Sequence, residues 1–174
     1  MKGAEVYWIT GLSGAGKTTI GGLLVDHLRA KNAPVVHLDG DVMRGVFGFK
    51  SKHTREERKT LAISYSKMCK MLSDQGIVVV CTTISMFDSV RQLNRDTISR
   101  YVEIYLDVPI EILIQRDQKN LYSKGIRGEV QDVLGINEVY EVPKNPDIVL
   151  ENNGTVSPEE IASHLIEKIG VINK

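Results

Sequence analysis

Short apolar runs alternate with segments of helical spacing along the whole chain. The run at residues 77–83 is nearly all β-branched and lacks polar alternation, which is typical of a central strand that is buried on both faces of a sheet. Strands separated by helices favour a parallel sheet covered by helices on both faces. The pattern therefore predicts a three-layer α/β domain with a mostly parallel, five-stranded sheet, with strands at residues 6–10, 35–39, 77–83, 101–107 and 147–151.

Five segments carry helical signals. Apolar residues recur every three or four positions in the first of them. Thr54 and Glu57 have the spacing of a capping box, in which each side chain satisfies a free backbone donor of the first turn. The predicted helices cover residues 17–31, 54–75 and 87–99, a segment that starts at Pro109, and a C-terminal segment opened by Ser157.

One stretch, residues 119–146, breaks this alternation. It contains mixed charges, no clear period and five glycine or proline residues, namely Gly125, Gly128, Gly135, Pro143 and Pro146. A segment this long without regular structure in a compact domain is usually functional. We therefore expect a lid over about residues 117–146.

Composition narrows the class of protein. The 174 residues suit one domain, and 22 basic residues balance 22 acidic ones. Zero net charge argues against a general nucleic-acid or membrane-surface binder, which would need excess basic charge. No apolar run approaches the length of a membrane span, and the N-terminus lacks a signal-peptide layout. With Cys69 and Cys81 as buried thiols, the expectation is a cytoplasmic domain with no nucleic-acid or membrane partner.

The strongest motif is Gly-Leu-Ser-Gly-Ala-Gly-Lys-Thr at residues 11–18, which matches the phosphate-loop pattern. It follows a predicted strand and opens a predicted helix, as phosphate binding by backbone N–H groups requires. Lys17 can reach the outer phosphates of ATP, and the Thr18 hydroxyl can bind Mg²⁺. The expected ATP-binding residues are Gly11, Ser13, Gly14, Ala15, Gly16, Lys17, Thr18 and Thr19.

The acidic residues indicate which kind of phosphate-loop protein this is. The chain lacks the guanine-reading Asn-Lys-x-Asp of a GTPase and an Asp at the end of the 77–83 strand. Asp39 and Asp41 instead end the second strand, where one carboxylate can support Mg²⁺ and the other can accept a proton from an acceptor hydroxyl. Arg44 could hold an anionic part of that acceptor. A solvated Asp-Gly turn is the alternative interpretation.

At this point the chain resembles the adenylylsulfate kinase family over nearly its whole length. The resemblance rests on residues 11–19, Leu38-Asp-Gly-Asp41 with Arg44, Gly48-Phe49, Ile84-Ser85, Gln115-Arg-Asp117, Lys119-Asn-Leu-Tyr122, Gly128-Glu129, Gly135-Ile136, Tyr140-Glu141 with Pro143, and Asn145-Pro146. It implies a P-loop kinase that transfers a phosphoryl group from Mg·ATP to the ribose 3′-hydroxyl of adenylylsulfate, beneath a lid that closes over both nucleotides. Family members commonly form dimers, so a possible homodimer is a further expectation.

The resemblance also implies roles for individual residues. Asp41 would be the catalytic base or a metal partner and would act together with Lys17. Arg116 would face the adenine of ATP or the lid hinge. Substrate contacts are expected from Asp39, Asp41, Arg44, Phe49, Arg58, Ile84, Ser85 and Lys119, and metal contacts from Thr18 and Asp39. On residue type alone, Phe49 could equally be a hydrophobic plug, and Arg58 could be a cation on a helix surface.

The chain departs from the family in the acceptor half of the site. Leu61, Ile63 and Ser64 stand where the family has an Asn and an Arg pair, Asp88 replaces an Arg, and Val133 replaces a lid aromatic. Replacement cations could come from Arg91, Arg95, Lys50 or Lys52.

These departures leave three interpretations open. With replacement cations, adenylylsulfate stays the acceptor. Alternatively the acceptor is another nucleotide, such as the cytidine diphosphoramidate used by some relatives, whose smaller base suits Val133. A non-catalytic nucleotide-binding module is the third interpretation.

Overall fold

The computed structural model describes residues 3–48 and 54–172 and contains one five-stranded sheet. The strands are β1 (Val6–Thr10), β2 (Val35–Asp39), β3 (Val78–Thr82), β4 (Tyr101–Asp107) and β5 (Ile148–Glu151). Their order is β2-β3-β1-β4-β5, and every pair is parallel. The α/β prediction is confirmed, and the sheet is entirely rather than mostly parallel.

The described residues form seven α-helices, six of them between strands and the last after β5. They are α1 (Lys17–Ala30), α2 (Gly40–Val46), α3 (Arg55–Asp74), α4 (Asp88–Thr97), α5 (Ile110–Arg116), α6 (Leu121–Ile126) and α7 (Pro158–Ile172). The sequence had predicted five of them to within two residues at the ends that it fixed. The short helices α2 and α6 were not predicted. Thr54 does cap α3, and its capping box with Glu57 is complete.

Alternate residues of each central strand pack against opposite helical layers. Along β1, Tyr7 and Ile9 face α1 and α7, whereas Val6 and Trp8 face α3 and α4. These side chains are almost fully buried, as are the free thiols of Cys69 and Cys81. The sheet is thus covered on both faces, so ligands reach it only at the ends of its strands.

The predicted lid is more regular at its start than the sequence indicated. A 3₁₀ turn at Gln118–Asn120 leads directly into α6, so the expectation of no regular structure is wrong there. Asp117 organises this start, because its carboxylate accepts from the backbone N–H groups of Tyr122 and Ser123 at 2.9 and 3.0 Å. The rest of the segment is mostly turns and extended backbone that pack over α5 and the core.

No helix in residues 3–48 and 54–172 is long and apolar enough to cross a membrane.

Candidate active site

The phosphate loop joins β1 to α1 at the carboxyl edge of the sheet. Gly11 begins it with a φ of 155°, and a Cβ at this position would lie 2.8 Å from the backbone oxygen of Leu106 on β4. A larger residue would therefore push the loop away from the sheet. Gly16, also with positive φ, lies immediately before the first turn of α1, whose N–H groups face the loop.

The backbone oxygens of the loop are held from outside by the C-terminal half of the chain. The Tyr122 hydroxyl donates to Ser13 O at 2.7 Å, Arg116 Nη1 to Gly14 O at 3.1 Å, and Asn152 Nδ2 to Ala15 O at 3.0 Å. Three successive carbonyls are thus satisfied by side chains, which favours a loop whose N–H groups turn toward a phosphate.

Of these three side chains, the sequence analysis assigned only Arg116 to the donor site. The structure places Arg116 against the loop and also against Asn152, whose side-chain oxygen accepts from Nη2 at 3.0 Å. Asn152 follows the end of β5, at the same sheet edge as the loop. That position after a predicted strand is the signal that could have identified it.

Lys17 lies half-buried under the loop, and its Nζ donates to Leu12 O at 2.7 Å. Burial away from water lowers the pKa of this amine to about 7, since desolvation outweighs the attraction of Asp39. A phosphate group bound next to this amine would raise its pKa again and favour its charged form.

Asp39 receives hydrogen bonds on both carboxylate oxygens. Oδ2 accepts from the Thr18 hydroxyl at 2.6 Å and from the Thr82 hydroxyl at 2.9 Å, while Oδ1 accepts from the N–H groups of Asp41 and Val42. Burial raises the pKa of Asp39, but the bonds from Thr18, Thr82 and the Val42 N–H outweigh it and hold the pKa below its usual value. The carboxylate is therefore ionised at neutral pH.

Thr18 and Asp39 present oxygen ligands in contact with each other, as a P-loop magnesium site requires. Mg²⁺ usually takes only one or two protein oxygens and completes its shell with phosphates and water. No cluster of three or more His, Cys, Asp or Glu side chains suited to a metal occurs among the described residues. The donor set thus fits a magnesium ion that arrives with the nucleotide.

Asp41 lies two residues further on, in the first turn of α2, between two cations. Arg44, three residues along α2, pairs with Oδ1, and Lys119 Nζ lies 3.0 Å from Oδ2. Lys119 has a left-handed backbone, with φ of 59°, in the turn before α6. This conformation is uncommon for a non-glycine residue and brings a lid cation to the acidic pair.

Two cavities meet at this point. The smaller, about 130 Å³, is lined by the phosphate loop with Lys17, Thr18 and Asp39. The larger, about 760 Å³, lies between α3, the end of β3 and the lid. Both are lined by Asp41, so its carboxylate lies at their boundary. We call the smaller one the donor cavity and the larger one the acceptor cavity.

The acceptor cavity contains most of the other predicted substrate residues. Arg44, Arg58, Ile84, Ser85 and Lys119 all line it. Phe49 lies outside the described residues. Two polar atoms at this cavity, Ser85 Oγ and Arg58 Nε, are buried without a hydrogen-bond partner within the described part of the chain. Unpaired buried donors of this kind are available for a ligand.

Two of the four cations expected to replace the missing Arg, Arg91 and Arg95, lie in the described part of the chain. Arg91 is 4% exposed and pairs with Asp88 and Glu103, and Arg95 pairs with Glu103 and Asp147. Neither lines the acceptor cavity, so that expectation is wrong for both, while Lys50 and Lys52 lie outside the described residues. Arg55 lines the cavity instead.

Val133 takes the place of the family's lid aromatic and is only 2% exposed. It packs into the core cluster that also contains Tyr122 and still contributes to the wall of the acceptor cavity. Leu61 on α3, where the family has an Asn, lines the same cavity. Two apolar walls thus stand where the family presents a ring and an amide.

The comparisons with known proteins agree with this geometry. A family model described as adenylylsulphate kinase matches residues 3–151. The chain is 38% identical over 166 residues to the cytidine diphosphoramidate kinase of Campylobacter jejuni, covering 95% of this chain and 96% of that protein. It is 38% identical over 175 residues to the adenylyl-sulfate kinase of Halothermothrix orenii, covering 99% and 94%.

Among solved structures, the chain is similar to the Mycobacterium tuberculosis APS kinase CysC in complex with AMPPNP and APS. The TM-score is 0.88 at 30% sequence identity, over 98% of this chain and 99% of that one.

Proposed function

We propose that this chain, which belongs to the adenylylsulfate kinase family, phosphorylates the ribose 3′-hydroxyl of a nucleotide with an anionic tail. Members of this family are ATP-using kinases with an alcohol acceptor. Adenylylsulfate is the first candidate acceptor. The observation that carries the proposal is the position of Asp41 at the boundary of the donor and acceptor cavities. A hydroxyl in the larger cavity and a phosphate in the smaller one would meet at its carboxylate.

The donor side binds and orients ATP. The loop N–H groups and the Lys17 ammonium hold the phosphates, while Thr18 and Asp39 would hold Mg²⁺. When bound, Mg²⁺ neutralises charge on the transferring phosphoryl group. The sulfate-like or phosphate-like tail of the acceptor would contact Arg44 and Arg58.

The transfer itself needs one proton to move. The acceptor oxygen attacks the γ-phosphorus, the bond to ADP breaks, and Asp41 orients the hydroxyl and accepts its proton. Ion pairs with Arg44 and Lys119 hold the Asp41 carboxylate in place. Because phosphoryl transfer has a loose transition state, positioning and charge stabilisation contribute more than basicity. The lid excludes water that would otherwise compete as acceptor.

Cytidine diphosphoramidate is the second candidate acceptor, favoured by Leu61 and Val133. These apolar walls stand where the family presents an amide and an aromatic ring, so they offer less to a purine that is held between rings. A smaller pyrimidine depends less on such stacking, which is worth about 1–3 kcal/mol per base.

A coupled assay of ADP release with Mg·ATP tests both candidates in parallel, with Lys17→Ala as the inactive control. Turnover of adenylylsulfate alone supports the first candidate, and turnover of the cytidine compound alone supports the second. ATP binding without turnover of either nucleotide would contradict the proposed reaction and favour a binding module. Equal activity in Lys17→Ala would overturn the donor site.

A further inference from the structure

Arg55 in the first turn of α3 joins the wall of the acceptor cavity to the lid. Its guanidinium lies over the ring of Phe87, with Cζ 5.2 Å from the ring centroid. Nη1 donates to Glu138 Oε1 at 3.3 Å and to Val139 O at 3.1 Å, and Nη2 donates to Glu141 Oε1 at 2.6 Å. One side chain therefore contacts both the segment after β3 and the last part of the lid.

Glu141 extends this connection to the backbone next to Phe87. Its Oε2 accepts from the N–H of Asp88 at 2.5 Å. Its own backbone is bound independently, because Glu141 N donates to Met86 O at 3.3 Å and Arg91 Nη2 donates to Glu141 O at 2.8 Å. Residue 141 would thus stay beside residues 86–88 without Arg55. What Arg55 adds is the orientation of the Phe87 ring and the attachment of Glu138 and Val139.

The contacts of Arg55 concern the acceptor side alone. Arg55 and Phe87 line the acceptor cavity and are absent from the lining of the donor cavity. Asp88 stands where the family has an Arg. Its backbone N–H is bound by the Glu141 carboxylate, and Arg55 from α3 pairs with that same carboxylate.

We propose that Arg55 is a positioning residue for the acceptor nucleotide, which fixes the Phe87 ring and the lid in one arrangement before the acceptor binds. The proposal rests on the proposed function. When the Phe87 segment and the lid are already held together, the protein loses less conformational entropy on binding the acceptor. The acceptor therefore binds more tightly. The donor site gains nothing from these contacts.

The test compares Arg55→Met and Arg55→Lys with the wild type, using whichever acceptor the wild type turns over. Arg55→Met keeps the aliphatic part but loses the ion pairs and the cation–π contact. The expected result is an acceptor KM raised about tenfold, with the KM for ATP changed less than about twofold. Arg55→Lys restores part of the affinity, because an ammonium can contact the ring and one carboxylate but not both carboxylates in a planar fork.

Lys70→Met is the matched control, since Lys70 also lies on α3 and forms an exposed ion pair with Asp74, far along the helix. Thermal unfolding of each variant checks that the chain is folded. An unchanged acceptor KM in Arg55→Met, or equal changes in both KM values, would overturn the role of Arg55 while leaving the proposed function intact. Turnover of neither nucleotide by the wild type would overturn both.

Discussion

Lys17 is the residue whose charge depends most directly on the ligand. Its pKa of about 7 in the protein alone means that the amine is largely neutral at pH 8. Nucleotide phosphates favour the charged amine and raise its pKa, so binding at pH 8 takes up a proton. As the pH rises above 7, affinity should fall, by at most about tenfold per pH unit.

Calorimetric titration with ADP checks this between pH 7.5 and 9, where the phosphates are already ionised. The apparent binding enthalpy should vary with the ionisation enthalpy of the buffer, corresponding to uptake of nearly one proton at pH 8. Lys17→Arg is the control, because a guanidinium stays charged and takes up no proton. A buffer-independent enthalpy in the wild type would contradict the lowered pKa.

Individual residues could be predicted where a motif assigns them a position. The phosphate loop, Asp39, Asp41 and Arg116 were all identified from spacing or family resemblance, and the structure brings them to one edge of the sheet. Arg55 and Thr82 could not be found this way, and Asn152 only from its place after a predicted strand. Their contacts join segments 43 to 137 positions apart in sequence, so no local pattern contains them.

At the scale of elements, helix α1 lies close to the sheet because of a glycine. A Cβ at Gly21 would lie 2.4 Å from Cγ2 of Thr82 and 3.1 Å from Nε2 of His37. Thr82 donates to Asp39, so a larger residue would disturb the Asp39 carboxylate as well as the packing. Gly21→Ala should lower the free energy of unfolding by about 1–3 kcal/mol and weaken binding of Mg·ADP.

The neighbouring glycine provides a matched control for this substitution. A Cβ at Gly22 would meet nothing within 4 Å, on the same helix. Gly22→Ala should therefore stabilise the protein by about 0.5–1 kcal/mol, because alanine loses less conformational freedom in a helix. Urea denaturation and calorimetry with Mg·ADP measure both effects. Similar behaviour of the two variants would show that the contact with Thr82 is unimportant.

The long helix α3 was predicted well and the short helices α2 and α6 were not, for a physical reason. Helix α3 has a capping box and several turns of apolar periodicity. Helix α2 has only seven residues, and its apolar residues Val42 and Val46 are exposed. Its sequence therefore lacks the apolar periodicity that would predict a helix. Helix α6 starts from a left-handed turn at Lys119 and Asn120, a backbone that is uncommon for a lysine. Both depend on tertiary contacts rather than local propensity.

The whole molecule divides its two substrate sites between the sheet edge and the lid. The donor cavity is lined mainly by the phosphate loop and by residues at the ends of β2 and β3, which the glycine motif and the hydrophobic pattern located. The acceptor cavity is enclosed by α3 and the lid, and the lid sequence has no clear hydrophobic period from residue 119 onward. Acceptor specificity depends on which side chains of α3 and the lid line this cavity together. For this reason the acceptor base could not be predicted from the sequence.

A buried charge network attaches the end of the lid to the rest of the molecule. Glu103 on β4 is 2% exposed and lies 3.5 Å from Arg91 Nε and 3.1 Å from Arg95 Nη2. Arg91 also donates to Glu141 O, so it links α4, the sheet and the lid. Arg91→Met leaves Glu103 with a single partner, and the free energy of unfolding should fall by about 3–5 kcal/mol.

A double variant separates the cost of an unpaired charge from loss of packing. Arg91→Met combined with Glu103→Met removes both charges and should recover much of the stability, since an apolar pair can replace a buried ion pair at little cost. Lys70→Met, which loses an exposed pair with Asp74, should cost less than about 1 kcal/mol. If the double variant were no more stable than Arg91→Met in urea denaturation, the hydrogen bond to Glu141 rather than the buried charge would hold the lid.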